Sequence, residues 1–279
     1  MTSSATDAPT FSPLPAYSRR TRWTVAALAG AVVVLWWLGT PAGSHGKADA
    51  IGYAVCHRIA ARSFFAYGRQ LPLCARCTGL YVGILTGLGT FLARGRTRAA
   101  QLPPVRLLAV LVVLGASYAA DGLNSYLSLF DFYTPLYPPH NTLRLITGTL
   151  FGLGLIAMVW PVFNALAWAR PVHTAPLSTG RELAVLYAVA ALADALILRQ
   201  WNAVLWALGF LTAGGVVLMF TLIGAVLFLS LTHRENALHA WRDLLVPALA
   251  GIAFAFAVIG SIDWLRYQLT GTWNGFPLG

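Results

Sequence analysis

The sequence predicts an all-α fold, a polytopic transmembrane helical bundle of about seven helices with a cysteine-containing loop at one membrane face. The first observation is composition: 58% of the 279 residues are hydrophobic and 10% are charged, which is too apolar for a soluble globular domain. The second is that several uncharged runs approach or exceed the roughly 20 residues that a membrane-spanning helix needs. The third is that these runs are continuous, which favours helices over the short alternating strands of a β-barrel.

The order of these runs divides the chain into four regions. Residues 1–18 are rich in Ser, Thr, Pro and Ala, and we expect them to form a disordered tail. Residues 19–40 open with arginines and continue as an apolar run, which predicts a first transmembrane helix or signal anchor, since no convincing cleavage site follows. Residues 41–170 are expected to form a membrane domain with the cysteine loop and three helices, and residues 171–279 to add three more. The predicted apolar spans are 23–38, 75–93, 105–127, 143–168, 182–198, 203–231 and 244–267.

The basic residues predict how the chain sits in the membrane. Lys and Arg are more numerous in the connections that share a side with the amino terminus, and positive loops stay inside. We therefore expect a cell membrane protein, in the inner or plasma membrane, with a cytoplasmic amino terminus and the cysteine loop outside. The net charge of +10 does not indicate nucleic acid, because the arginines lie between apolar runs and form no basic surface with interleaved aromatic residues. The expected partner is the lipid bilayer.

The thiols are concentrated in one stretch, CHRIAARSFFAYGRQLPLCARC, which runs from Cys56 to Cys77. It contains all three cysteines of the chain. Pro72 is typical of the first turn of a helix, so we expect Cys74 and Cys77 in the opening turns of the second span, with both sulfurs on one face. A helix amino terminus and a nearby cation, here Arg76, both stabilise thiolates.

Three thiols and the imidazole of His57 complete a tetrahedral donor set for zinc or another thiolate-bound metal. The predicted metal ligands are therefore Cys56, His57, Cys74 and Cys77. Because adjacent ligands fit awkwardly around one ion, His57 could instead orient a ligand, which leaves an open position for water, substrate or Asp121. Two other interpretations stay open: a Cys74–Cys77 redox pair with Cys56 as an exchanging thiol, and small residues that pack at a helix start.

Polar residues of the third and fourth spans are expected at the same membrane face as the cysteines. Asp121 belongs to a stripe with spacings of three and four, formed by Ser117, Asp121, Asn124, Ser125 and Ser128. Arg144 lies one turn into the fourth span, where a charge needs a partner, and Asp121 is the predicted one. We predict catalytic roles for both, although the pair could be structural and Asn141 could simply cap its helix. Further site candidates are Arg62, Arg76, Asn124 and Asn141.

Two more patterns concern packing. Asp194 and Asp263 fall at the same face near helix ends, and we expect them to reach the membrane interface. Glycines repeat every four residues on the second span and again on the fourth, which predicts close approach of these two helices. They are Gly79, Gly83 and Gly87, and then Gly148 and Gly152.

These residues resemble a prokaryotic family of integral membrane proteins that is defined as a domain of unknown function. The resemblance covers residues 50 to 160 and has the signature CH…RSF…PLCARCTG. Matching positions in the first part are Cys56, His57, Arg62, Ser63, Phe64, Cys74, Ala75, Arg76, Cys77, Thr78 and Gly79. Those in the second part are Asp121, Gly122, Asn141, Arg144, Thr147 and Gly148. The resemblance supports the cluster of candidate residues and implies no particular reaction.

Three functions are compatible with the sequence. The first is a membrane protein with a Cys/His metal site at the outer face, which in one form of the hypothesis is an enzyme that acts on an anionic or lipid-linked, phosphate-bearing substrate. The second is a membrane thiol–disulfide redox protein that uses Cys74 and Cys77. The third is a transporter, which ranks last because no ionisable residue falls at a predicted midplane.

Overall fold

The computed structural model describes residues 17–130, 132 and 134–275. These residues form eight α-helices and one antiparallel hairpin. In chain order the elements are α1 (Arg19–Gly39), α2 (Gly43–Val55), β1 (Ser63–Ala66), β2 (Arg69–Cys74), α3 (Ala75–Ala93), α4 (Val105–Leu127), α5 (Asn141–Ala167), α6 (Gly180–Leu198), α7 (Asn202–Leu231) and α8 (Leu245–Thr270). Short 3-10 helices cover Ala60–Arg62 and Trp241–Leu244. The predicted tail, residues 1–18, lies outside the described residues except for its last two.

The predicted all-α fold is confirmed. Each of the seven predicted apolar runs is a helix in the structure, namely α1 and α3 to α8. Five of the described helical segments are long and apolar enough to cross a membrane: α1, α4, α5, α7, and the stretch Trp241–Thr270 that contains α8. The count of seven crossings is therefore not confirmed, because α3 and α6 lie outside this set.

The tightest helix pair is α3 against α5, as the glycine pattern predicts. A Cβ on Gly79 would lie 2.1 Å from the carbonyl oxygen of Leu145, and a Cβ on Gly148 would lie 2.2 Å from that of Arg76. Only glycine permits two helix backbones to approach this closely. The contact aligns the start of α3 with the start of α5.

The remaining helices surround this pair. Helix α4 packs on α5, α7 packs on α8, and α1 packs on α8. Asp194 and Asp263 are both buried, and each accepts one hydrogen bond from a neighbouring helix instead of reaching solvent. Thr149 Oγ1 donates to Asp194 Oδ1 over 2.8 Å, and Trp36 Nε1 donates to Asp263 Oδ2 over 3.0 Å. The expectation that these carboxylates reach the interface is therefore wrong.

The segment between α1 and α3 is more structured than the sequence predicts. It contains α2 and the β1–β2 hairpin, whose turn residues Tyr67 and Gly68 both have positive φ, 50° and 75°, as tight two-residue hairpin turns require. The predicted span 75–93 matches α3, but Pro72 lies inside β2 and Cys74 ends that strand, so only Cys77 lies in the opening turn of the helix. Helix α2 and α7 both pack against this hairpin.

Candidate metal centre

Three elements bring the three cysteines together. Cys56 caps the carboxyl end of α2, Cys74 is the last residue of β2, and Cys77 lies in the first turn of α3. Their Sγ atoms all lie within 4.8 Å of one another, and all three are free thiols. Three cysteines this close could hold a metal ion. A tetrahedral zinc with Zn–S bonds of about 2.3 Å needs sulfurs about 3.8 Å apart, so closing the site takes a shift of about 1 Å or less.

Hydrogen bonds around the sulfurs favour a thiolate at Cys74. The backbone N–H groups of Arg58 and Cys74 donate to Cys56 Sγ over 3.5 and 3.3 Å. Hydrogen bonds from the thiol groups of Cys56 and then Cys77 lower the pKa of Cys74 well below its usual value, and His57 lowers it further. Donors directed at a sulfur stabilise its charged form, which is the form that binds metals.

His57 lies beside the cluster and outside it. Its Nδ1 is 3.6 Å from Cys56 Sγ, but its ring nitrogens do not belong to the group of mutually close ligand atoms. The imidazole is instead near enough to Cys74 to stabilise that thiolate. This position favours the alternative in which His57 orients a ligand, and it leaves the fourth tetrahedral position to another group.

Asp121 pairs with Arg76 in the structure, not with Arg144. Arg76 Nε donates to Asp121 Oδ2 over 3.1 Å, and Arg76 Nη2 donates to the Asp121 carbonyl oxygen over 3.0 Å. The Tyr137 hydroxyl donates to Asp121 Oδ1 over 3.2 Å. The predicted Asp121–Arg144 pair is therefore wrong, because the Arg76 side chain extends from α3 towards α4 and forms the ion pair with this carboxylate. Asp121 is only 1% exposed and holds Arg76 next to two of the cysteines.

Arg144 is buried, 5% exposed, with neutral partners. Its Nη1 donates to Asn141 Oδ1 over 2.8 Å and its Nη2 to Ser125 Oγ over 3.4 Å, while Nε has no hydrogen-bond partner. Asn141 also donates from Nδ2 to the carbonyl oxygen of Ala61 over 3.3 Å. The cap of α5 is His140, whose ring accepts from the Thr142 backbone. The interpretation of Asn141 as a helix cap is therefore wrong, and its side chain instead connects Arg144 with Ala61.

The other two predicted candidates have different surroundings. Asn124 holds the loop after α4, since its Nδ2 donates to the Tyr137 carbonyl oxygen over 3.0 Å and its Oδ1 accepts from the Leu136 backbone over 2.9 Å. Arg62 lies half-buried in the 3-10 helix between α2 and β1. Burial and the charge of Arg76 lower the pKa of Arg62, and the charge of Cys74 raises it. Arg62 thus lies in the electrostatic field of the cysteine cluster.

The comparison with known proteins identifies the segment that carries this site. The family model described as "Predicted membrane protein (DUF2085)" matches residues 56–158. A protein of Methanothermobacter thermautotrophicus, described as uncharacterised, is 33% identical over 105 residues, which are 37% of this chain and 83% of the relative. The chain belongs to this family.

Another relative in Methanocaldococcus jannaschii, also described as uncharacterised, is 28% identical over 116 residues, or 42% of this chain and 68% of its own length. No solved structure matches. The family segment begins at Cys56 and includes all three cysteines together with Asp121 and Arg144. Helices α1, α2 and α6 to α8 lie outside the matched residues.

Two residues that help to build the site come from outside the family segment, and the sequence interpretation overlooked both. Arg266 of α8 donates through Nη1 to the carbonyl oxygen of Cys56 over 2.7 Å and through Nη2 to that of His57 over 3.5 Å. Asp49 of α2 forms an ion pair of 2.9 Å with Arg58 and another with Arg69 of the hairpin. Neither residue lies in a motif, and only the tertiary structure brings them to the Cys56 loop.

Proposed function

We propose that this protein is an integral membrane metalloprotein that holds one zinc-like ion on the thiolates of Cys56, Cys74 and Cys77. The observation that carries the proposal is the mutual distance of the three Sγ atoms, at most 4.8 Å, in free thiols. Sulfur ligands select zinc and similar soft metals. Three protein ligands with an open fourth position are typical of catalytic zinc, whereas structural sites use four.

The chemistry that we propose is Lewis-acid catalysis on an anionic or lipid-linked substrate. An ion held by the three thiolates would have one open coordination position, at which it would polarise a substrate oxygen or activate water. The role of Asp121 is then to fix Arg76 beside the ion, since its carboxylate accepts from Arg76 and Tyr137. Arg144 supplies charge for the substrate. The site faces the outside of a cell membrane in this proposal, with the bilayer and anionic lipids as partners.

The same geometry supports a second function, thiol–disulfide exchange. The observation that favours it is the pKa of Cys74, which is lowered by two thiols that lie close enough to form a disulfide with it. An activated thiolate beside a resolving thiol is what exchange chemistry needs. This alternative predicts that a reversible disulfide forms in cells. A transporter remains a third proposal, with no observation among the described residues that favours it.

Elemental analysis of the purified protein separates the first two functions. Wild type in detergent, without added chelator, should contain about one zinc-like metal per chain, and Cys74→Ser should lose most of it because two thiolates hold the ion far more weakly. Thr90→Ser, at the far end of α3, is the matched control and should keep the wild-type content.

Thiol alkylation before and after reduction completes the test. Metal-bound thiolates should be protected from alkylation until a chelator is added, with no change on reduction alone. A metal-free wild type, or full metal content in Cys74→Ser, contradicts the metal site. Metal-free protein with a disulfide that reductant opens would support the exchange function instead.

A further inference from the structure

Arg62 and Arg144 are two guanidinium groups beside the thiol cluster with which no described carboxylate forms an ion pair. Asp121 pairs with Arg76, and Asp49 pairs with two other arginines. Contacts place Arg62 and Arg144 in the same region: Asn141 accepts from Arg144 and donates to the carbonyl oxygen of Ala61, the residue before Arg62. Ser63, the residue after Arg62, pairs with Cys74 across the hairpin.

Arg144 is a buried cation whose contacts among the described residues include no anion. It is 5% exposed, and its two named hydrogen bonds go to the neutral side chains of Asn141 and Ser125. Its Nε has no partner. Neutral acceptors satisfy hydrogen bonds but place no counter-charge in contact with the guanidinium, and a buried charge without one is costly. Such a residue within a membrane helix marks a functional site by default.

We propose that Arg62 and Arg144 bind the phosphate group of the substrate beside the open coordination position of the metal. Guanidinium groups match phosphate oxygens in geometry and charge. The inference rests on the proposed function, because the metal provides a further contact to the same anion. A zinc ion with three thiolates carries one net negative charge and Asp121 another, so the three arginines of the site keep one positive charge for the substrate.

Two sources can present this chemistry, a lipid headgroup and a soluble phosphate compound. Arg144 lies in the first turn of α5, at the end of an apolar helix, which is the depth at which lipid phosphates lie. The shared ligand group is a phosphate monoester or inorganic phosphate. The experiment therefore has one arm for each source.

The test is phosphate binding by the protein as purified, with its metal content measured beforehand. In one arm, inorganic phosphate is titrated calorimetrically into protein in neutral detergent. In the other, protein in nanodiscs of phosphatidylcholine is compared with protein in nanodiscs doped with phosphatidic acid, with binding read from the rise in unfolding temperature. Wild type should bind in at least one arm. Arg144→Gln and Arg62→Gln should each weaken binding tenfold or more, and Arg144→Lys less than Arg144→Gln.

Arg106→Gln is the matched control, since it removes one exposed arginine from the start of α4 and should leave binding unchanged. Metal content and unfolding temperature are measured for every variant, so that a misfolded Arg144 variant is recognised. Arg62 is half-buried in a surface turn, and its variant therefore tests the site even if Arg144→Gln fails to fold.

The possible outcomes separate this inference from the proposed function. If wild type carries one metal per chain but binds phosphate in neither arm, or if Arg62→Gln and Arg144→Gln bind like wild type, the phosphate subsite is wrong and the metal site stands. If wild type is metal-free but binds phosphate through both arginines, the metal proposal fails and the subsite stands. Binding in the phosphatidic acid arm alone identifies a lipid headgroup as the source, and binding of free phosphate identifies a soluble one.

Discussion

At the scale of single residues, Asp121 shows how the site keeps its charges in place. Its side chain is 1% exposed, and it forms an ion pair with Arg76, whose side chain is 14% exposed. Tyr137 donates to the second carboxylate oxygen over 3.2 Å, so both oxygens are satisfied. The pair connects α3 with α4 next to the cysteines, and removal of either partner leaves the other buried without a counter-charge.

We predict that Asp121→Asn destabilises the protein by about 3–5 kcal/mol, the usual loss when one partner of a buried pair is removed. Thermal unfolding in detergent measures the effect. Glu182→Gln is the control, because Glu182 also contacts two arginines but at partly exposed positions, with Arg94 34% exposed. Glutamine retains the capping box of α6, so its loss should be within about 1 kcal/mol. Equal losses in both variants would contradict the buried pair.

The sequence predicted which polar residues meet at this face but not how they pair. Alternating membrane crossings predict that one membrane face contains Cys74, Cys77, Asp121 and Arg144. In the structure, the start of α3 contacts the end of α4. The predicted partner of Asp121, Arg144, is wrong because Arg76 and Arg144 lie at the same depth and either could reach the carboxylate. The choice between them depends on the direction in which each side chain leaves its helix, and spacing does not encode that direction.

At the scale of elements, α2 and the hairpin determine where Cys56 lies. Gly52 of α2 sits so close to β2 that a Cβ would lie 2.0 Å from the carbonyl oxygen of Pro72. This approach brings the end of α2 to the end of β2, and Cys74 N–H then reaches Cys56 Sγ over 3.3 Å. The cluster therefore depends on a helix–strand contact that contains no metal ligand.

Gly52→Ala should lower metal affinity about tenfold or more without removing a ligand. The new Cβ meets backbone, which cannot rotate away, so α2 has to move from β2 and carries Cys56 with it; overpacking of this kind typically costs about 1–3 kcal/mol. Competition with a chromogenic chelator measures the affinity. Gly89→Ala in α3 is the control, since its Cβ meets nothing within 4 Å. Unchanged affinity in Gly52→Ala would show that the cluster does not depend on this contact.

The long helices were predictable and these small elements were not. Seven apolar runs gave helices because hydropathy alone distinguishes a long buried or lipid-facing helix. Helix α2 has 13 residues, GSHGKADAIGYAV, which is too short and too polar for that signal. The hairpin turn uses Tyr67 and Gly68, a pair without the Asn-Gly or Asp-Gly signature of such turns.

At the scale of the whole molecule, the family segment does not complete the site by itself. Residues 56–158 match the family, yet the loop after α2 is held from α8, more than 200 residues along the chain. Arg266 donates to the carbonyl oxygens of Cys56 and His57 at the carboxyl end of α2, where unpaired carbonyls need donors. Helix α8 thus holds the backbone at the first cysteine through Arg266.

Arg266→Gln should therefore make the metal easier to remove while the three cysteines stay in place. Without the guanidinium, the Cys56–His57 turn loses its donors and samples more conformations, so loss of metal to excess chelator should be at least about tenfold faster, equivalent to about 1.4 kcal/mol. Arg199→Gln is the control, because Arg199 is an exposed arginine at the end of α6. Equal rates of metal loss in the two variants would mean that α8 packs beside the site without bracing it. Faster loss in Arg266→Gln alone would extend the functional unit from the family segment to the complete bundle.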